Sequence, residues 1–552
     1  MNLRLTAARR ILLLAMALLA CRCAQISLIN GPGLTALAVA QRSLDIPLPQ
    51  GRGAILDRNG TPLALASQPP LPGPPFTHVA LYPGMIQGEQ EDLAALEGMV
   101  PGALWGQARV AKLSDDDANV IASIARRTVG VVPFRMASRY SGLAIHVLGH
   151  TTGGSTGADG LEASFNWALS MPSAPAVRVQ VDANAKCISG LNATAVKSGS
   201  AGWVRTTIDS NLQAEVEHVL SERARGEAGA VVVLHAHTGQ VLALASWPGY
   251  DPDDVVTSVR RADGAMINRA VIRYYPGSVF KVVVAAAALE SGISESAWSY
   301  HDDGSFDAGG NTFRCHSQSS GGHGDVTISD VVAYSCNTGA IALAQQVGAE
   351  ALRAQAAAFG IGDSSFQSHL HLPSAATGRL APPRETASLP GLANLALGQA
   401  HVEMTPVEAG AIMACIASGG RSIRPSLVLE AQSSSGKHMM YPTSIWGESV
   451  VSPKTAASLR KMLGEVVDRG TAVGALAGCD CAGKTGTAQT GRVDPTGAAL
   501  YNAWFVGYAP RDNPEIVVSV VVETGRSGAD AAAPVFGDII SYWTRTSART
   551  PS

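Results

Sequence analysis

Two spacings of apolar residues organise this chain. Residues 228–247 read AGAVVVLHAHTGQVLALASW, two strongly apolar runs of strand length about a His237-Thr238-Gly239 turn. Residues 502–523, NAWFVGYAPRDNPEIVVSVVVE, repeat that design about the turn PRDNP. Between these hairpins, Ala-rich stretches around 281–291, 340–358, 403–417 and 454–467 read as helices. Strands, then helices, then strands predict an α/β (α+β) domain over 201–545, with an antiparallel sheet and an inserted helical lobe.

Before residue 201 the pattern is looser. In residues 46–66, IPLPQGRGAILDRNGTPLALA, apolar positions alternate on either side of Asp57-Arg58-Asn59-Gly60, as in two strands joined by a tight turn. The proline-dense QPPLPGPPF that follows can be neither helix nor central strand. Residues 86–127 are rich in Ala and Glu and read as helical, and HTTGGSTGADG (150–160) is a loop before the helical LEASFNWALS. Residues 31–200 therefore form a mixed, loop-rich module with little core of its own. The last residues, 546–552, belong to a polar tail, TRTSARTPS, expected to be disordered.

Residues 1–30 stand apart. Arg4, Arg9 and Arg10 precede ILLLAMALLACRCAQISLI, and no acidic residue occurs before Asp45. Residues 11–29 nearly reach the ~20 needed to cross a bilayer as a helix. The flanking arginines favour a cytoplasmic N-terminus, and Arg22 can snorkel to the interface. An uncleaved single-pass anchor is the preferred reading, beside a cleaved signal peptide and lipid attachment at Cys21. All three export the remainder of the chain.

Composition narrows the classes further. The 552 residues are 46% hydrophobic and 15% charged, which suits a well-buried core and excludes a disordered protein. A net charge of −3 without a basic run beyond the N-terminus leaves no nucleic-acid footprint. Six cysteines beyond residue 30 are too sparse for a disulfide-built scaffold, although individual bridges can persist after export.

Three short motifs carry chemistry. In YYPGSVFKVVVAAAALESG, Ser278 sits at a helix start, where free N–H groups favour developing negative charge. Lys281 lies one turn on, flanked by Phe280 and Val282, so its amine is desolvated and able to act as a base. In VVAYSCNTGA, Ser335 can relay a proton while Asn337 holds a substrate amide. In CAGKTGTAQT, Lys484, Thr485 and Thr487 supply a cation and two hydroxyls suited to a carboxylate, and Gly486 lets another backbone approach. Each alone has a plainer reading: a capping serine with an exposed lysine, a helix-starting Ser-x-Asn, a glycine-bearing hairpin edge. GCDCAGKT also satisfies the spacing of a phosphate-binding loop. That reading is rejected, because a turn follows where a helix is needed and an exported domain lacks nucleoside triphosphates.

Taken in order, S-x-x-K, S-x-N and K-T-G are the set of penicillin-binding proteins and class A β-lactamases. Their spacings, 57 residues from Ser278 to Ser335 and 149 from Ser335 to Lys484, leave room for the helical lobe. The chain resembles a class B penicillin-binding protein, a monofunctional peptidoglycan DD-transpeptidase with a penicillin-binding, serine β-lactamase-like fold. The resemblance extends from the anchor to about residue 545 through RGAILDRNG, GLEASFNWAL, RTTIDSNLQ, LALGQ and MTPVEAGAIMACIASGG. It implies a pedestal or dimerisation-type module over 31–200 and acyl transfer on stem peptides ending in D-alanyl-D-alanine. By matching motif, Ser278 would be acylated and Lys281 would take its proton. Ser335 would pass a proton to the leaving amine, Asn337 would orient the substrate amide, and Lys484 would tune that network. Thr485, Gly486 and Thr487 would hold the substrate carboxylate, with the N–H groups of Ser278 and Thr487 as oxyanion hole. β-Lactams would acylate the same serine, a membrane glycosyltransferase would be a partner, and neither metal nor organic cofactor is required. Asn502 departs from the His often found before Ala-Trp-Phe, and no glycosyltransferase domain is visible, against a bifunctional class A enzyme. A β-lactam hydrolase or sensor of this fold and a non-catalytic scaffold are the alternatives.

By that resemblance Cys336 would lie between two catalytic positions, with Ser278 rather than Cys336 as the nucleophile. Cys315 is its nearest cysteine in sequence. A Cys315–Cys336 disulfide is expected, closing a loop of about 20 residues worth roughly 3 kcal/mol. A buried free thiol and a bridge to Cys479 or Cys481 remain open. Zinc, with His316 or His323 nearby, is disfavoured because the spacing matches no familiar site.

Overall fold

The computed structural model describes residues 2–47, 51–66, 75–83, 86–105, 109–128, 130–135, 138–152, 156–171, 176–180, 194–196, 201–442, 445–493, 497, 499–524 and 526–547. It divides into two compact units.

The larger unit contains 52–66, 138–170 and 201–552. Its framework is a five-stranded antiparallel sheet: β1 (Ala228–His235), β2 (Val241–Trp247), β3 (Ala482–Val493), β4 (Ala499–Ala509) and β5 (Ile516–Thr524), in the order β2-β1-β5-β4-β3. Both predicted hairpins are present. Val231, Val232 and Val233 are consecutive and all fully buried, so both faces of the sheet are covered, which is why the strands read as unbroken apolar runs. The covering helices include α1 (Ser210–Ala224), α5 (Pro406–Ala417) and α7 (Gly528–Ser547). Thr405 and Glu408 close α5 with a capping box, and Pro406 supplies its first residue. The helical lobe includes α2 (Lys281–Glu290), α3 (Ile328–Ala333), α4 (Asn337–Val347) and α6 (Pro453–Asp468); α2, α4 and α6 lie close to the predicted stretches, whereas α3 falls outside them.

The expected break at residue 200 is not a clean cut. Ala54–Leu56 pairs in parallel with Trp203–Thr206 and antiparallel with Pro62–Ala64, so the predicted hairpin joins a sheet of the larger unit. Asp57 Oδ1 accepts from the amides of Asn59 and Thr61 and shapes its turn. Fully buried Arg52 donates to Glu162 at 2.6 Å and to Asn166, which draws 160–169 in as well. These segments carry charged residues whose partners are remote in sequence, and composition could not reveal that.

The smaller unit contains 1–51, 67–137 and 171–200. The stretch expected as helical over 86–127 is two helices, Gln90–Met99 and Asp115–Arg127, separated by the strand Arg109–Lys112. That strand pairs with His78–Leu81, which also pairs with Val131–Phe134. Val79, Leu81, Leu96 and Ile121 give this unit a small core of its own. Near the N-terminus, Leu5–Ile29 is a 25-residue helical span of mean hydropathy 2.1, long and apolar enough for an anchor or a signal sequence. Most of QPPLPGPPF lies outside the described residues. The tail is corrected in part: α7, kept amphipathic by Phe536, Ile539 and Ile540, runs through Ser547.

Candidate active site

Ser278 lies in a 3-10 turn, Gly277–Phe280, that leads directly into α2. The turn rests against edge strand β3, and backbone spacing leaves no room for side chains there. A Cβ on Gly277, which has φ +54°, would lie 2.9 Å from Thr487 O, and one on Gly486 would lie 2.9 Å from Pro276 O. On its other side Gly277 donates to Gly398 O at 3.0 Å. The Trp504 indole donates to Tyr275 O at 3.0 Å, tying β4 to the same turn. Ser278 thus sits half-buried on a backbone support fixed from both sides.

Lys281 is fully buried one turn further on. Its Nζ lies 2.5 Å from Ser335 O, 3.3 Å from Ser335 Oγ and 2.6 Å from Asn337 Oδ1, so the first two motifs meet at this amine. Burial pulls its pKa down to about 8, opposed by the nearby sulfurs of Cys315 and Cys336. Ser335 reaches the amine because α3 stops at Ala333 and the chain turns through a left-handed residue, Ser335 at φ +57°, before α4 begins. A non-glycine there is uncommon and is retained where its surroundings over-determine it. Asn337 is oriented from both ends, since its Nδ2 donates to Arg314 O at 2.8 Å.

The third motif lies on β3. Lys484 is fully buried, and its Nζ donates to Thr485 O at 3.0 Å. Burial, then the charge of Lys281, hold it well below its ordinary pKa. The two lysines thus disfavour simultaneous protonation, which suits a site that moves one proton at a time. Lys484 lies within a long strand, with no helix start beside it, in keeping with the rejection of a phosphate-binding loop. Thr487 Oγ1 accepts from the Gly528 amide at 3.1 Å.

Ser278, Ser335, Asn337, Thr485, Gly486 and Thr487 line one cleft of about 1060 Å³, while the amines of Lys281 and Lys484 are buried behind it. Sequence reading missed Thr471, whose Oγ1 lies 2.6 Å from Thr485 Oγ1 on the wall of this cleft. It missed Gln489 and Tyr501 on the extended β3–β4 edge as well. Thr471 and Tyr501 stand in no motif, and Gln489, though inside CAGKTGTAQT, carried no assigned role; only the meeting of the segment after α6 with β3 exposes Thr471. Asn502 is buried between Ala488 and Glu523 in the sheet register. Cys315 and Cys336 do meet, but as free thiols with sulfurs 4.0 Å apart, and Asp302 and His323 converge on them. Their separation is about twice the ~2.05 Å of a disulfide bond, so the structure does not contain the expected bridge.

Residues 229–541 match the family described as penicillin binding protein transpeptidase domain. Stage V sporulation protein D of Bacillus subtilis is 28% identical, over 94% of this chain and 82% of its own length. Peptidoglycan D,D-transpeptidase PbpA of Mycobacterium tuberculosis is 32% identical, over 60% of this chain and 71% of its own. The crystal structure of M. tuberculosis penicillin-binding protein 3 with aztreonam superposes with a TM-score of 0.66 at 25% identity, covering 91% of this chain and 97% of that one.

Proposed function

The chain belongs to the penicillin-binding protein transpeptidase family and is a penicillin-binding peptidoglycan D,D-transpeptidase, and from that premise we propose how its own residues divide the reaction. Ser278 Oγ attacks the carbonyl of the penultimate D-alanine, and Lys281, in its neutral form, takes the hydroxyl proton. The observation that carries this reading is the convergence of Ser335 and Asn337 on the Lys281 amine, from positions more than 50 residues away in sequence. The proton passes from Lys281 through Ser335 Oγ to the departing D-alanine nitrogen, and an acyl-enzyme remains on Ser278.

The developing oxyanion is received by the N–H groups of Ser278 and Thr487. The close approach of Gly277 to Thr487 supports this, because fixed donors need no reorganisation as charge develops. Thr485 and Thr487 hold the substrate carboxylate, with buried Lys484 behind them. Asn337 holds the substrate amide, itself oriented by Arg314 O. An amine from a neighbouring strand then attacks the acyl-enzyme, with the same Lys281–Ser335 pair carrying protons in reverse. A β-lactam presents its amide to Ser278 in the same place and stays attached.

The apolar N-terminal helix supports membrane attachment with the catalytic unit on the outer side, where peptidoglycan lies. A membrane glycosyltransferase that polymerises the glycan strands is the expected partner. Fluorescent-penicillin labelling tests the assignment: wild type acquires one label per chain and Ser278→Ala none. Labelling of Ser278→Ala at the wild-type rate would overturn the choice of nucleophile. Multiple turnovers of penicillin per chain would instead identify a hydrolase.

A further inference from the structure

At the sheet edge remote from the catalytic strand, α1, β2 and the segment 142–146 enclose a second cavity of about 320 Å³. β2 and β3 are the two outer strands of the sheet, so its whole width lies between this cavity and the Ser278 turn. The transpeptidase reaction uses none of the residues that line it. Ile145, Leu220 and the half-buried Trp247 give it apolar walls. Its volume is at the small end of the ~300–1,000 Å³ typical of ligand sites.

The polar atoms on these walls are acceptors. Glu217 Oε1 accepts from the Ala144 amide at 2.7 Å and from Gln213 Nε2 at 2.8 Å. Gln213 is in turn locked to β2, donating to Leu244 O at 2.9 Å and accepting from Leu244 N at 2.8 Å. Glu217 Oε2 receives neither hydrogen bond nor ion pair from the described residues and remains open to the cavity. The ring of His146 is buried, and its Nε2 lies 2.8 Å from Ala265 O. That nitrogen therefore carries the proton, and Nδ1 keeps a bare lone pair. Burial holds this imidazole neutral, with its pKa pulled down to about 4. The hydroxyls of Ser221 and Ser246 donate away from the cavity, to His218 O at 2.8 Å and Ile267 O at 2.9 Å. No lysine or arginine lines the cavity, and His218, exposed at the rim, is its remaining titratable group.

A carboxylate in this setting is short of a partner. Burial raises its pKa, the direction expected where no cation offsets the loss of water. The missing partner must bring positive charge and N–H donors on an apolar stem. An alkylammonium has all three: a compact charge, three donors and a chain that can lie along Ile145, Leu220 and Trp247. An aromatic wall adds attraction for a cation. A guanidinium fits less well, because its fork seeks both carboxylate oxygens and Oε1 is already filled by two donors. Calcium would need six or more oxygen ligands, which apolar walls do not supply.

We propose that this cavity binds the ammonium end of an unbranched alkylamine, with Glu217 Oε2 as counter-ion and Trp247, Ile145 and Leu220 around the stem. Two sources carry that chemistry, a free diamine and the amine-bearing side chain of a peptide. Either would tie α1 to β2 and to the segment 142–146, which Glu217 already joins through Ala144 and Gln213.

The test uses the full chain in detergent, with Ser278 acylated by penicillin beforehand so that the catalytic cleft is occupied. Pentylamine, followed by saturation-transfer NMR, is expected to bind with a Kd on the order of 1 mM. 1-Pentanol, of the same shape without the charge, should bind about tenfold more weakly or less. Glu217→Gln keeps an oxygen for the Ala144 amide and should weaken pentylamine by about tenfold, and Trp247→Leu by about threefold. A diazirine analogue of pentylamine maps the site on the wild-type chain, without a variant that must fold. It is expected to label peptides containing residues 214–221 and 245–249. 1,5-Diaminopentane and an Nα-blocked lysine amide separate the sources: tighter binding of the first assigns a free diamine, and of the second a peptide side chain. Equal affinity for pentylamine and 1-pentanol would sink the proposal. So would undiminished binding in Glu217→Gln at wild-type Tm, or labelling confined to other peptides.

Discussion

The two walls of the catalytic cleft position their chemistry by opposite means. On the sheet wall, main chain approaches main chain: the Ser278 turn is clamped between β3 and Gly398, and three glycines leave the space for it. On the helical wall, side chains do the work. Lys281, Ser335 and Asn337 hold one another through three polar contacts, and the Asp302–Cys315–His323–Cys336 cluster lies directly behind them. A backbone support is intolerant of any added atom but indifferent to charge. A buried polar network tolerates small displacements and is sensitive to every proton it gains or loses.

The largest effect that can separate the walls comes from Lys281→Met, which keeps much of the bulk and removes the proposed base. Penicillin acylation, followed by stopped-flow or gel labelling, should slow by about 10²–10⁴-fold with little change in fold. Next is Gly398→Ala on the opposite wall. Gly398 has φ +70°, and a Cβ there would lie 2.1 Å from Gly277 O, so the Ser278 turn must move. A displacement near 1 Å costs about 10²-fold in rate, and here Tm should fall as well. Equal loss of Tm in both variants would erase the distinction between the walls.

The third prediction concerns pH. The Lys281 amine accepts a proton only when neutral, so with its pKa near 8 acylation should rise about tenfold per pH unit below that value and level off above it. The same shift bears on stability. The folded pKa lies below the unfolded 10.5, so between about 8 and 10.5 the unfolded chain binds more protons and stability should rise with pH through that window. A pH-independent acylation rate from 6 to about 9 would remove Lys281 from the role of base. The smallest expected effect is that of Thr471→Ala. It leaves the Thr485 hydroxyl without its 2.6 Å neighbour, at a cost of about 1 kcal/mol or five- to tenfold, seen mainly in KM for a carboxylate-bearing substrate.

How legible each part was follows from how local its cause is. The two hairpins and the helices of the lobe were readable because long apolar runs fix burial over a few turns of chain. Asn337 and Ser335 were readable only as motif members, since their meeting with Lys281 depends on a left-handed residue at 335 that no propensity predicts. The helix reaching Ser547 and the strand Arg109–Lys112 were not readable. A polar, threonine-rich end hides the first, and a four-residue strand inside a helix-favouring stretch hides the second. The exchange of 52–66 and 138–170 into the larger unit was equally hidden, because the Arg52–Glu162 pair spans 110 residues.

By itself the sequence determined the family, the order of the three motifs, the sheet-and-lobe plan and the apolar N-terminal segment. Each of these is written in short-range pattern, and motif order survives any path the chain takes between. Only the tertiary structure decided which groups meet: that Lys484 as well as Lys281 is buried behind the cleft, that Thr471 faces Thr485, and that Cys315 and Cys336 converge with Asp302 and His323 as free thiols. Such meetings are set by packing between elements far apart in sequence, where proximity leaves no mark on residue spacing.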